Sequence, residues 1–183
     1  FGRCGGCQLQ YASYEKQLAL KKAAASRLLS SYAAVPDVSG MKNPYHYRHK
    51  IHASFCRSRR GIELGIYEEN THRVVTVSDC SIQNKTANAI LRTIRKLTET
   101  FRLPAYNEDT RQGLLRHVLI RCGYATNQIM VVLVIGQENI KKKNNLSFLL
   151  CSLMKFLPIF TKLSSIFQMT QKGKGTSPSS LMT

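Results

Sequence analysis

The sequence is poor in acidic residues, and this scarcity sets the first limit on what the chain binds. Only 10 Asp and Glu residues stand against 27 Lys and Arg, which gives a formal net charge of +17 and a pI near 10.0. Self-repulsion of this size opposes a compact state unless a polyanion neutralises it. We therefore expect a nucleic-acid partner, either RNA or DNA, with an anionic membrane surface as the alternative.

The sequence also lacks a long apolar run and a recognisable leader. No stretch of about 18 apolar residues is present, so no membrane span is predicted, and no signal peptide is visible. The 183 residues, 43% of them hydrophobic, suffice for the core of a globular domain. Six cysteines at irregular spacings favour a reducing compartment over a disulfide framework. These features predict a cytoplasmic protein.

A second close cysteine pair is absent, which leaves the role of the first pair open. Cys4 and Cys7 enclose two glycines in "CGGC". A redox pair would need a preceding strand, and a structural zinc site usually needs a second C-x-x-C or H-x-x-x-H pair. An iron–sulfur cluster suits the glycines, because a flexible loop can turn its N–H groups toward cluster sulfurs. An accidental pair of thiols is the fourth possibility, and the spacing alone does not decide among them.

The hydrophobic periodicity predicts an α+β fold with a mostly antiparallel sheet and flanking helices. Helices are expected over residues 13–33, 83–102 and 146–157, and strands over residues 45–57, 62–69, 73–77, 113–124 and 128–136. The last strand is apolar throughout, which is typical of a central buried strand. We divide the chain into a loop and helix at 1–35, a central domain at 36–157 and a divergent tail at 158–183 that is expected to be disordered.

Two segments have the clearest side-chain patterns. Residues 45–57 alternate, and this period of two predicts a half-buried strand with Ile51, Ala53 and Phe55 on its inner face. The helix over 83–102 has an apolar stripe that consists of Ala87, Ile90, Leu91, Ile94, Leu97 and Phe101. On its wet face, Arg95 and Glu99 are expected to pair at i,i+4. The first helix has a comparable stripe between Tyr14 and Tyr32.

Four segments resemble the class I SAM-dependent RNA uracil-C5 methyltransferases of the RumA/TrmA type. The segments are "FGRCGGCQLQYASYEKQLALKK", "YRHKIHASF", "GIYEENTHRVVTVSDCSIQ" and "GLLRHVLIR". The similarity runs from Phe1 to about Gly136. It departs from the family pattern at His49, where asparagine is usual.

This resemblance implies an iron–sulfur site and an RNA-modifying activity. Cluster-bearing members hold a [4Fe–4S] centre on four cysteines, of which Cys4, Cys7 and Cys80 are matched here, and the fourth is expected upstream of Phe1. The centre would be structural and would tie the N-terminal loop to the end of a hairpin. In the family a catalytic cysteine adds to C6 of a flipped uracil, and SAM supplies the methyl group to C5. The implied partner is RNA, with rRNA expected rather than tRNA.

The motifs of the family's catalytic domain are absent from this sequence. It has no glycine-rich SAM loop after a strand, no Asp-Pro-Pro-Arg stretch and no nucleophilic cysteine with a downstream glutamate. We therefore assign no catalytic or SAM-binding residue and expect the Rossmann-like domain to be missing. The chain is predicted to be an inactive, incomplete portion of such an enzyme. The alternatives are a non-enzymatic nucleic-acid-binding module stabilised by zinc or a cluster, and a small thiol-redox protein.

Basic residues on or beside the strands are the candidate RNA contacts, because guanidinium and ammonium groups reach phosphates. They are Arg48, Lys50, His52, Arg57, Arg59, Arg60, Arg116 and Arg121. A solvated charge on a sheet face is the alternative for each of them. Two further groups are interpreted as core residues rather than base contacts or ligands: Tyr45, Tyr47 and Tyr67, and the thiols Cys56, Cys122 and Cys151.

Overall fold

The computed structural model describes residues 3–59, 61–136, 147, 149, 151 and 152, and its centre is one antiparallel sheet covered by a helix. In chain order the elements are α1 (Tyr14–Leu29), β1 (Lys50–Ser58), β2 (Gly61–Tyr67), β3 (Val74–Thr76), α2 (Lys85–Thr100), β4 (Leu115–Cys122) and β5 (Ile129–Ile135). The five strands lie in the order β3-β2-β1-β4-β5, and every neighbouring pair is antiparallel. The predicted α+β class with an antiparallel sheet is confirmed.

Strand β1 is the middle strand of the sheet. The alternating side-chain pattern correctly predicts its inner face, because Ile51, Ala53 and Phe55 are all buried. The strand turns directly into β2, where Ser58 pairs with Gly61 at the end of the hairpin. Gly61 has φ +113°, a left-handed conformation that a side chain would strain. The predicted hairpin is therefore confirmed, with a tight turn at its tip.

Helix α2 covers the inner face of the sheet. Asn84 begins it, because its side-chain oxygen accepts hydrogen bonds from the backbone N–H groups of Thr86 (2.9 Å) and Ala87 (3.3 Å). The five stripe residues Ala87, Ile90, Leu91, Ile94 and Leu97 are all buried in the core. The helix predicted over 83–102 is thus confirmed, together with the face that it buries.

Strand β4 contains a β-bulge that redirects its side chains. Leu115 pairs with Ile135 and His117 pairs with Val134, so the two-residue step on β4 faces a one-residue step on β5. Arg116 is the extra residue. Beyond the bulge, Val118 and Ile120 are buried toward the core, whereas His117 shares the opposite face of the sheet with its β1 partner Ser54.

The interpretation of residues 128–136 as a central strand is wrong. Among the described residues, β5 lies at the end of the sheet and pairs only with β4. It is nevertheless buried, with Val131, Val132, Leu133 and Ile135 all below a tenth exposed. Leu149, which is helical, is fully buried in the same core cluster. The apolar run thus reflects burial in the core, not a position between two strands.

Helix α1 lies outside this core. Ser13 begins it, and Glu15 lies in its first turn as predicted, but none of its residues is buried. Tyr14 and Leu18 lie against Gly40, and the Tyr14 hydroxyl accepts a hydrogen bond from the Met41 N–H at 2.7 Å. The C-terminal part of the apolar stripe has no such cover, since Leu28 is 75% exposed.

Several other interpretations concern surface residues or residues outside the described part of the chain. Tyr45 and Tyr47 are exposed, so their assignment to the core is wrong, and the same holds for Cys151. Of the helix predicted over 146–157, residues 147, 149, 151 and 152 are helical and the others lie outside the described residues, as does the tail at 158–183. In the described part of the chain, no helix is long and apolar enough to cross a membrane.

Candidate functional site

The loop that carries Cys4 and Cys7 docks on the end of β2. The Gly5 N–H donates to the Tyr67 carbonyl oxygen at 3.2 Å, and Cys4 forms an isolated antiparallel bridge with Glu68. A Cβ atom on Gly5 would lie 3.1 Å from that carbonyl oxygen, which is closer than side chains normally approach. Glycine between the two cysteines thus allows the loop to lie flat against the sheet.

Cys80 lies in the turn between β3 and α2. Its carbonyl oxygen accepts hydrogen bonds from the Gln83 N–H at 3.2 Å and from the side-chain amide of Asn88 at 3.0 Å. Gln83 and Asn88 are both buried, so the core itself holds this turn. The position of Cys80 is therefore fixed by helix α2.

The Cys7 thiol lies within electrostatic reach of the other two matched thiols, Cys4 and Cys80. The pKa of the Cys7 thiol is raised, first by burial and then by the charges of Cys80 and Cys4, while the Arg48 guanidinium opposes the shift. All six cysteines are free thiols. In the described part of the chain, however, no three His, Cys, Asp or Glu side chains are arranged tightly enough to hold a metal ion.

The donor chemistry at this neighbourhood fits a thiolate-bound centre. Cys4, Cys7 and Cys80 offer three sulfur ligands, and sulfur is the donor that iron–sulfur clusters and structural zinc take. Arg48 provides a positive charge beside them, with its guanidinium 3.5 Å from the Gly6 carbonyl oxygen. A cation at this place favours the deprotonated thiols that metal binding requires.

The candidate RNA residues divide into two groups by their surroundings. Two of them are half-buried and held by contacts within the molecule: Arg48 lies against the cysteine loop, and Arg116 donates two hydrogen bonds to Glu108, from Nε at 3.0 Å and from a terminal nitrogen at 2.7 Å. The Arg116 guanidinium also lies 5.0 Å from the centroid of the Tyr106 ring. Neither arginine points freely into solvent.

The second group lies on the exposed side of the sheet. Lys50 and Arg121 are cross-strand partners on β1 and β4, and Arg57 and Arg59 are exposed near the hairpin tip. Arg60, the other arginine predicted there, lies outside the described residues. The structure thus brings together Lys50 with Arg121, and Arg57 with Arg59, but it does not assemble all eight residues into one patch.

A groove of about 1130 Å³ opens on the outer face of the sheet, between the strands and the loop over 104–113. His52 and His117 meet on its floor with ring centroids 5.0 Å apart and edge-to-face geometry. His117 Nδ1 and the Ser54 hydroxyl form a hydrogen bond of 3.0 Å, which explains why polar Ser54 is buried. The groove therefore places imidazole rings at the centre of the sheet.

Both histidines are uncharged near neutral pH. Burial lowers the pKa of His117 to about 4, and the charges of His52 and Arg116 act in the same direction while Glu108 opposes them. Burial also lowers the pKa of His52, assisted by Lys50. Each ring thus keeps one N–H donor and one nitrogen acceptor.

His117, Tyr106 and Glu108 were not predicted as site residues. The segment "GLLRHVLIR" predicts a strand with Arg116 as a candidate RNA contact, but it does not single out His117, and nothing in the loop over 104–113 indicates that this loop packs across the sheet. The one available signal is a histidine beside an arginine in a strand whose other residues, apart from Arg121, are apolar. The bulge at Arg116 brings Arg116 and His117 to the groove, and a bulge has no clear signature in the sequence.

Comparison with known proteins gives relatives for most of the chain. No family model matches it. The chain is 35% identical over 150 residues to an uncharacterized RNA methyltransferase from Clostridium tetani, covering 80% of this chain and 33% of that protein. It is 30% identical over 174 residues to one from Staphylococcus aureus, covering 92% of this chain and 37% of that protein. The chain thus spans about a third of the length of these curated relatives.

A solved structure shares the fold. The crystal structure of Pyrococcus abyssi tRNA (uracil-54, C5)-methyltransferase in complex with S-adenosyl-L-homocysteine superposes with a TM-score of 0.62 and 24% identity, covering 78% of this chain and 34% of that one. At this identity the match supports the architecture and no more. The sequence relatives, together with the motifs around the cysteines and strands, show that the chain belongs to the RumA/TrmA-like family of RNA methyltransferases.

Proposed function

We propose that this chain is the RNA-binding portion of a SAM-dependent RNA uracil-C5 methyltransferase. The observation that carries the proposal is its 35% identity over 150 residues to a protein named an RNA methyltransferase. The net charge of +17 supports it, because a polyanionic partner would offset the self-repulsion. The fold neighbour is named as an enzyme of tRNA uracil C5, which supports the reaction type.

In this proposal the chain binds RNA and does not itself transfer the methyl group. Lys50 and Arg121, with Arg57 and Arg59 at the hairpin tip, contact phosphates. SAM binding and the attack on the uracil are assigned to none of the 183 residues, since the sequence contains none of the family's catalytic motifs. We retain rRNA as the expected substrate class over tRNA.

RNA binding is tested by titrating the chain with labelled rRNA fragments and with tRNA at several salt concentrations. If the chain contacts several phosphates, the logarithm of its affinity for RNA should fall steeply and linearly with the logarithm of the salt concentration. Addition of radiolabelled SAM should leave the RNA unlabelled. RNA binding that does not depend on salt would contradict the proposed phosphate contacts. Methyl transfer by this chain would contradict the proposal that it binds RNA without catalysing the reaction.

We also propose that Cys4, Cys7 and Cys80 are ligands of a [4Fe–4S] cluster. Their thiols influence one another electrostatically, and Arg48 supplies the compensating charge. The bound cluster would supply iron–thiolate bonds and no reaction chemistry. Through those bonds the three cysteines would join the loop on β2 to the turn before α2, which closes a long loop and stabilises the fold.

A zinc-stabilised module is the alternative, because the same thiols can take zinc. Anaerobic purification followed by metal and sulfide analysis distinguishes the two. Brown protein with iron and acid-labile sulfide supports the cluster, whereas colourless protein with stoichiometric zinc supports the module. A reversible disulfide between Cys4 and Cys7, without bound metal, would instead favour the thiol-redox function.

A further inference from the structure

Several aromatic and imidazole rings line the groove on the outer face of the sheet. Two ring pairs lie in it: His52 with His117, and Tyr67 with His72, whose centroids are 6.0 Å apart at an interplanar angle of 82°. Tyr106 on the opposite wall carries the Arg116 guanidinium against its face. Flat side chains from three strands and two loops therefore converge on one cavity.

The charges in this groove nearly cancel. Among its described lining residues, Arg57 and Arg116 are positive, Glu108 and Asp109 are negative, and Arg116 is already bound to Glu108. The two floor histidines are uncharged near neutral pH, because burial lowers the pKa of each ring. A channel that follows a phosphate backbone would need a clear excess of positive charge, and this groove has none although the chain as a whole carries +17.

The groove is also larger and more open than an enclosed small-molecule site. Its volume of about 1130 Å³ exceeds the range of roughly 300–1,000 Å³ that is typical of small-ligand pockets. Exposed basic residues such as Arg59 lie at the hairpin tip, outside the groove. This arrangement separates a neutral, ring-lined floor from positive charge elsewhere on the same sheet.

We propose that this groove binds unstacked nucleobases of single-stranded RNA, with His52 and His117 as the rings against which a base packs. The inference rests on the proposed RNA-binding function and names the part of the RNA that this surface recognises. His117 uses Nδ1 for Ser54, so Nε2 remains as the nitrogen that can donate to or accept from a base edge. Arg116, fixed by Glu108 and Tyr106, closes the groove with a second flat group.

The test compares two probes of equal length: a short single-stranded oligouridylate and an abasic strand with the same backbone. Fluorescence anisotropy with the full chain at about 0.15 M salt should show the base-bearing strand bound roughly 5-fold to 150-fold more tightly for one stacked base. In His52→Ala this preference should shrink, while affinity for the abasic strand stays unchanged. His49→Ala is the matched control, since His49 is exposed on the same segment but outside the groove.

A second measurement covers the possibility that His52→Ala perturbs the fold. In the unmodified chain, the ring-proton NMR signals of His52 and His117 should shift on adding the oligouridylate and not on adding the abasic strand. Equal affinity for both probes, or a preference that survives in His52→Ala, overturns the inference and leaves RNA binding through phosphates intact. Failure of both probes to bind overturns the proposed RNA-binding function itself.

Discussion

Lys50 and Arg121 lie directly opposite each other on β1 and β4, so two cations share one cross-strand position. Like charges in this relation destabilise a sheet by a few tenths of a kcal/mol to about 1 kcal/mol. An arrangement that costs stability in the free protein becomes favourable when a phosphate lies between the two side chains. Under the proposed RNA-binding function, this pair marks where a phosphate backbone would cross the sheet.

Arg121→Gln should weaken RNA binding and stabilise the free protein slightly. Loss of one phosphate contact reduces the slope of log affinity against log salt by about one, while relief of repulsion adds about 0.2–1 kcal/mol to the free energy of unfolding. Binding titrations at several salt concentrations and denaturant unfolding measure the two effects. Arg27→Gln, at an exposed arginine of α1, is the control and should leave the slope unchanged.

Cys80→Ser should abolish cluster binding without unfolding the domain. The turn at Cys80 is held by backbone contacts to Gln83 and Asn88 that do not involve the thiol, so the apo fold should persist. Iron and sulfide content after anaerobic reconstitution is the measurement. Cys151→Ser removes an exposed thiol and should retain the metal; retention of the full iron content by Cys80→Ser would exclude Cys80 as a ligand.

Arg95→Ala should destabilise the fold more than Glu99→Ala, although Arg95 and Glu99 form an ion pair. Arg95 lies 3.1 Å from the carboxylate of Glu63, which is 6% exposed, and 3.8 Å from the exposed Glu99. Without Arg95, the buried carboxylate loses a charged hydrogen bond, at a cost of about 1.5–3 kcal/mol. Glu99→Ala should cost no more than about 0.5 kcal/mol. Similar unfolding free energies for the two variants would show that Glu63 does not depend on Arg95.

The domain should lose stability on acidification, in part through His117. Its folded pKa is about 4 against an ordinary value of 6.5, so the unfolded chain binds more protons between those two pH values. The free energy of unfolding therefore falls as pH drops through this window, by at most about 1.4 kcal/mol per pH unit from this group, and the loss is complete below pH 4.

Denaturant unfolding at several pH values, compared between the wild-type chain and His117→Gln, isolates this contribution. The groups around the ring, namely His52, Arg116, Glu108 and Ser54, are unchanged in the variant. Since the pKa of His52 is also lowered, the variant should retain a shallower slope of the same sign. Identical slopes in the two proteins would show that His117 is not buried in its neutral form.

The sheet and α2 were predictable because a local pattern determines them. The period of two in β1 and the stripe of α2 identify buried faces. The pairing of Arg95 with Glu99 followed from i,i+4 spacing and is confirmed, but its stronger partner Glu63 is 32 residues away in the sequence. Spacing cannot reveal contacts of that kind.

The parts that failed depend on long-range packing. An apolar strand predicts a place in the middle of the sheet, but β5 is buried at the end of it, and composition does not distinguish these two positions. Tyr45 and Tyr47 were assigned to the core by residue type alone, although β1 begins only at Lys50. The proximity of Cys80 to Cys7 was implied by the family resemblance and could not have been derived from the spacing of the cysteines.

The two faces of the sheet differ, and this difference determines which substitutions the fold can accept. Ile51, Ala53 and Val118 point toward α2 and hold the fold, whereas His52 and Arg121 point away from it. Under the proposed function, a substitution on the outward face would alter which RNA is bound at less cost to folding than one in the core. Point changes along β1 and β4 would then direct the same scaffold to another RNA without any redesign of its interior.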